Sequence, residues 1–397
     1  MQVQAVFRTA VQKSPRNDVV AEGRPLARVA APLRLQSLDV FRGLTIAAMI
    51  LVNNPGSFRH VYPILNHAVW NGARPADLIF PFFLFIVGVS VSLSFAQHGD
   101  RGTRQGALLA IVARRTLLLF ALGALINGVP YFDWDVFRIS GVLQRIALCY
   151  GAAAVCALTL PVAAQVGVTI GALASYWLVM MLIPVPGFGA GNLTPDGNLA
   201  AYIDRTLMGG HLLHEDWDPE GLLSTIPAAA TTMLGVLAGR WLRAPQSSQQ
   251  RLLRLLIGGA TAVVVGEIMS LWFPLNKSLW SSSYAVYTAG VAMISLGACY
   301  WLVDIEGIRR WSTPFVIYGT NPIIAYFGSS LVAKALELML VRAPDGANMP
   351  VKRFIYEELF LRVGDPAMAS LLYALVTVGV WLGVTSILYR RGIFVKV

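Results

Sequence analysis

The chain has 397 residues, of which 56% are hydrophobic and only 13% charged, and its mean hydropathy is +0.62. That excludes an ordinary soluble globular domain and points to an all-α, polytopic membrane protein. The net charge of +10 would suit a nucleic acid, but the basic residues collect in alternate short loops between apolar stretches, so membrane lipid is the expected partner.

A helix needs about 20 mainly apolar residues to cross a ~30 Å hydrocarbon core. Ten segments fit: 38–54, 76–96, 107–128, 138–160, 163–184, 222–243, 252–273, 283–303, 311–341 and 369–390. With about ten transmembrane helices and the positive-inside rule, the face carrying Arg114, Arg115, Arg240, Arg243, Arg309 and Arg390 is cytosolic, and so are both termini. Residues 1–33 read as a disordered cytosolic tail and 34–397 as one transmembrane domain. Cys149, Cys156 and Cys299 all fall within spans and read as packing residues.

In the first span Asp39 and Arg42 are three apart on one helical face, which permits a local ion pair, and an intramembrane charge is also a functional signal. The span ends at Asn53 and Asn54, before Pro55 and Gly56. The following outer loop and second span read NHAVWNGARPADLIFPFFLFIVG over 66–88. His67, Trp70 and Asn71 therefore stand at the mouth of a proline-started helix with Asp77 in its first turn. Interfacial anchoring explains such residues, yet an imidazole is also the side chain best suited to accept a proton near neutral pH, which makes His67 a candidate general base or nucleophile. Gly88, Ser90, Ser92 and Ser94 allow close helix packing.

Arg145 lies inside the fourth span with no acidic neighbour on its own face, so it needs a partner from elsewhere, structural or ligand. The outer segment 185–221 contains a surface helix, NLAAYIDRTLMG, then HLLHEDWDPEG. His211 and His214 lack a third-ligand pattern, so no metal is expected, while Asp218 and Glu220 suit substrate hydroxyls. After the seventh span, Asn276 and Lys277, with Ser281, Ser282 and Ser283, offer donors to an anionic or carbonyl oxygen; ordinary capping of the next helix accounts for Ser281 or Ser282 but not for Lys277. The ninth segment is too long for one straight span. Pro322 and Gly328 predict a kink there, with Asn321 beside it.

SLDVFRG, the HAVWNGARPADLIFPFFLFIVG run, RIALCY, DPEGLLSTIPA, PLNKSLW and the closing IFVKV together resemble the heparan-α-glucosaminide N-acetyltransferase family and its bacterial relatives, over roughly residues 34–397. The resemblance implies transfer of an acetyl group from cytosolic acetyl-CoA to an amino sugar or glycan on the far side, in a bacterial inner membrane, by a homodimer. It carries the family's catalytic histidine onto His67 and its helix-end asparagine onto Asn53, with Asn54 as neighbour. Asp77 is then expected to orient His67. Arg42, Arg114, Arg115, Arg145, Lys277, Asn276 and Asn321 are expected around acetyl-CoA, and Asp218, Glu220, Trp70 and Asn71 around the acceptor. The acceptor expected is a small amino sugar or cell-envelope glycan. An inner-membrane carrier of N-acetylglucosamine, or a sugar sensor, is the rival reading.

Overall fold

The computed structural model describes residues 35–99, 102–130, 132–343 and 346–395, so the tail expected over 1–33 lies outside the described residues. Thirteen α-helices are present among them: α1 (Gln36–Asn53), α2 (Pro75–Gly99), α3 (Gln105–Gly128), α4 (Val142–Thr159), α5 (Val162–Leu182), α6 (Leu199–Met208), α7 (Thr225–Arg243), α8 (Ser248–Ser270), α9 (Ser282–Tyr300), α10 (Thr313–Thr320), α11 (Pro322–Leu338), α12 (Val351–Ile355) and α13 (Pro366–Arg390). A short antiparallel hairpin pairs β1 (Leu340–Arg342) with β2 (Asn348–Pro350).

Helices occupy all ten segments expected to span, but seven among the described residues are long and apolar enough by themselves, or eight if the bent pair α10–α11 counts as one. The remaining two are α1 and α7. Asp39 and Arg42 dilute the apolar content of the first, and Arg240 and Arg243 that of the second.

Burial sorts the helices. At least half of the apolar stretch of α2, α4 and α9 is enclosed, whereas α3, α8 and α13 bury only about a sixth of theirs. The outer helices instead turn Leu117, Ile170, Ile257, Val264, Val380 and Ile387 outward, the pattern of a bundle solvated by lipid. At the centre α2 packs along α7 and α1 along α10. The first of these contacts is backbone to backbone: a Cβ at Gly88 would fall on the Thr232 carbonyl, and one at Gly235 on the Phe85 carbonyl. Small residues are what let two helices approach this closely.

The kink expected in the ninth segment occurs at Asn321, where the helix turns through 72°. Pro322 cannot donate a backbone hydrogen bond. Asn321 instead uses its side chain on the end of the chain, donating to the Ile393 carbonyl (3.0 Å) and accepting from the Val395 amide (3.0 Å). The surface helix α6 is capped by Asn198, which accepts from the Ala201 amide at 2.8 Å.

Candidate active site

Asp77 is the fixed point of the site. Its first-turn position on α2 places the carboxylate, only 1% exposed, beneath the 54–74 loop. Oδ2 accepts the Ala68 and Arg74 amides (3.0 and 2.9 Å), which pins the loop to the helix, and Oδ1 meets His67 Nδ1 at 2.7 Å. The positive end of the helix supports a carboxylate in this place. From the opposite side the Tyr284 hydroxyl donates to the Asp77 carbonyl at 2.5 Å and ties α2 to α9.

An imidazole that donates Nδ1–H to a carboxylate presents an unprotonated Nε2. The His67 side chain is 42% exposed, so this nitrogen is reachable from outside. Lys277 Nζ lies 3.1 Å from Nδ1, 3.3 Å from Nε2 and 3.7 Å from Asp77 Oδ1. Proximity to both ring nitrogens is not one directed hydrogen bond; it places a positive charge against the imidazole edge. Burial pushes the Lys277 ammonium below the ordinary lysine value, and Asp77 and Glu220 oppose that shift.

Lys277 reaches His67 because two contacts clamp its loop to the 66–74 segment. The Gly72 amide donates to the Leu275 carbonyl at 2.7 Å, and Asn276 Nδ2 donates to Asn71 Oδ1 at 3.1 Å. Asn276 Oδ1 accepts the Leu279 amide. Trp70 closes one wall, donating to the Leu193 carbonyl and meeting Trp217 edge to face at 5.3 Å.

A second cluster lies close by. Arg138 grips Asp218 with Nε and a terminal nitrogen (2.8 and 2.7 Å) and holds Glu220 at 2.5 Å. Burial raises the Asp218 carboxyl, but the Arg138 hydrogen bond and charge outweigh it and hold the group below the usual carboxylate range. Arg145, fully buried, donates to Ser224 and the Gly221 carbonyl and lies 5.3 Å over the Trp280 ring. Its Nε and other terminal nitrogen are buried without a hydrogen-bond partner.

The structure thus brings together His67, Asp77 and Lys277, with Trp70, Asn71 and Asn276 at their border, and Asp218 and Glu220 with Arg145 behind. Several other expected site residues are held by the protein itself, and two are exposed. Asn53 stands exposed at the end of α1, and Asn54 turns back to donate to the Ile50 carbonyl at 2.8 Å. Arg42 binds Asp39 (3.1 Å), the Gly319 carbonyl and Ser90, which realises the local pair expected from the spacing. Arg114 is exposed and Arg115 lies over the Tyr150 ring. Ser281, Ser282 and Ser283 all donate to backbone carbonyls, of Pro274, Leu173 and Phe273, and Ser281 caps α9. His211 bonds the Phe137 carbonyl and His214 stacks on Trp217. Arg138, central to the second cluster, escaped sequence reasoning. Its one signal is a lone cation beside an aromatic, acidic loop.

The family model described as "Heparan-alpha-glucosaminide N-acetyltransferase, catalytic" matches residues 34–267. The chain belongs to this family. The match includes His67, Asp77, Arg138 and the Asp218–Glu220 segment and stops before Lys277. Two relatives are both named heparan-alpha-glucosaminide N-acetyltransferase. The mouse protein is 29% identical over 95% of this chain and 62% of its own length. The human protein is 31% identical over 93% of this chain and 60% of its own. The chain therefore spans about 60% of the length of these relatives.

Proposed function

We propose that this chain is a membrane-embedded N-acetyltransferase that moves an acetyl group from cytosolic acetyl-CoA to the amino group of an amino sugar or glycan on the opposite side, in a bacterial inner membrane. The observation that carries this reading is the Asp77–His67–Lys277 cluster, in which a buried carboxylate orients an exposed imidazole beside a cation. Family membership supports it independently.

The chemistry follows from that order. The acceptor amine attacks the thioester carbonyl while His67 Nε2 takes the amine proton. The Lys277 ammonium stabilises the oxyanion of the tetrahedral intermediate. Collapse breaks the carbon–sulfur bond, and the proton returns from Nε2 to the departing thiolate. Asp77 holds the ring and stabilises the imidazolium formed in between. Asp218 and Glu220, already bound to Arg138, form the neighbouring polar wall for acceptor hydroxyls.

A sugar carrier would use the broken ninth segment as its binding site. The side chain at that break, Asn321, is already occupied by the chain's own residues 393–395, which favours the transferase. The test is transfer of labelled acetyl from acetyl-CoA to glucosamine by purified protein in detergent, with His67→Ala alongside. Product from the parent and none above background from the variant is the expected result. Equal product from both, or product from neither while proteoliposomes accumulate N-acetylglucosamine, defeats the proposal.

A further inference from the structure

At the other end of α2 and α7, away from His67, lies a cavity of about 260 Å³. Ser92, Phe95 and Ala96 of α2, Ala157 of α4, and Arg240 and Arg243 of α7 line it. The two guanidinium groups enter from successive turns of one helix. Arg240 donates to Gln165 Oε1 at 3.1 Å and Arg243 to the Ser92 carbonyl at 2.9 Å, so both are held by neutral acceptors. Among the described residues neither has a carboxylate within ion-pair distance. Arg240 Nε and the Ser92 hydroxyl are buried and have no hydrogen-bond partner.

Two cations side by side, unneutralised and with spare buried donors, form an unsatisfied arrangement that an anion completes. Guanidinium forks match the geometry of phosphate oxygens. We propose that the Arg240–Arg243 pocket is a phosphate-ester site on the arginine-rich face. On the reading of function above, its ligand is the nucleotide end of acetyl-CoA. Ser92 follows Asp77 along α2 by roughly 22 Å at ~1.5 Å per residue, the distance that the arm of a donor seated here must span to reach His67. Phosphates cannot enter hydrocarbon, which is why the charged end stays at this mouth. Phe95 and Ala157 add an apolar wall for the base.

The experiment is calorimetric titration of coenzyme A and 3′-dephospho-coenzyme A into the purified full chain. The parent is compared with Arg240→Gln and Arg243→Gln, and with Arg240→Lys and Arg243→Lys, which keep the charge if the glutamine variants fail to fold. Bound phosphatidylglycerol is quantified in the same preparations. A loss of at least tenfold in coenzyme A affinity in the glutamine variants, smaller in the lysine variants, is the expected result. Retained coenzyme A affinity with lost phosphatidylglycerol upholds the phosphate site and assigns it to a lipid headgroup. Unchanged affinity for both overturns the site. A parent that binds no coenzyme A while holding phosphatidylglycerol through these arginines defeats the acetyl-donor reading and leaves the site standing.

Discussion

Two clusters near the same mouth are built from similar parts and do opposite things. In one, Asp77 spends its oxygens on two amides and one imidazole, and that imidazole carries its second nitrogen, 3.3 Å from Lys277 Nζ, to a partly exposed edge. In the other, Asp218 also accepts two amides, of Leu213 and Glu220, but its side-chain partner, shared with Glu220, is Arg138, which has donors and no acceptor. A carboxylate that orients a base leaves chemistry available, whereas one that binds a guanidinium consumes it. On the proposed function, the first cluster serves catalysis and the second serves stability and the shape of the acceptor wall.

The strongest way to break this division is to remove the centre of each cluster in turn. His67→Ala is expected to lower acetyl transfer by about 10²–10⁴-fold, the usual worth of a positioned general base, with the thermal midpoint within about 2 °C of the parent. Arg138→Gln is expected to do the reverse. It strands two carboxylates that are at most 9% exposed, and removing one partner of a buried pair costs about 3–5 kcal/mol. A thermal midpoint that holds in Arg138→Gln but falls in His67→Ala would exchange the two roles. Asp77→Asn sharpens the first assignment. An amide can donate to Nδ1 and select the wrong tautomer, so kcat is expected to fall on the order of 10²-fold while KM for acetyl-CoA stays close to the parent value. A rise in KM alone would make Asp77 a fold residue.

How much of this was legible in the sequence depended on separation along the chain. His67 and Asp77 are ten residues apart around a helix start, and the pair followed from a first-turn carboxylate facing the loop before it. Asp39 and Arg42 obeyed the i, i+3 rule. Lys277 stands out in the sequence as a donor to an anionic or carbonyl oxygen at the mouth, but its meeting with His67, 210 residues away, needs the clamp between Asn71 and Asn276, which no periodicity announces. Asn54, Asn321 and Ser281–Ser283 carry groups suited to a substrate, yet broken helices leave backbone groups to be satisfied, and these side chains satisfy them. Arg240 and Arg243 entered only as orientation signals. The spare Nε of Arg240 and the spare Ser92 hydroxyl become visible only once the helices are in place around them.

Asp204 supplies the smallest and most discriminating test of the second cluster. It is buried like Asp218 and accepts the Leu222 amide at 2.9 Å, but among the described residues no arginine grips it as Arg138 grips Asp218. Burial, only partly offset by that amide, pushes its carboxyl up to about 6, whereas Arg138 holds Asp218 down. A carboxyl whose value is raised on folding stabilises the native state fully below its unfolded value of 3.8 and loses that contribution as pH rises through about 6. Asp204→Asn keeps an acceptor for Leu222 and removes the titration. It is expected to match the parent in thermal stability near pH 4 and to exceed it progressively toward pH 7.5, by at most about 3 kcal/mol. Denaturation curves in detergent at both pH values measure the difference. Parallel behaviour of the two proteins would mean that Asp204 titrates normally, and that burial near this wall costs a carboxylate little. In that case the Arg138 pair would matter for the position of Asp218 and Glu220 more than for their charge.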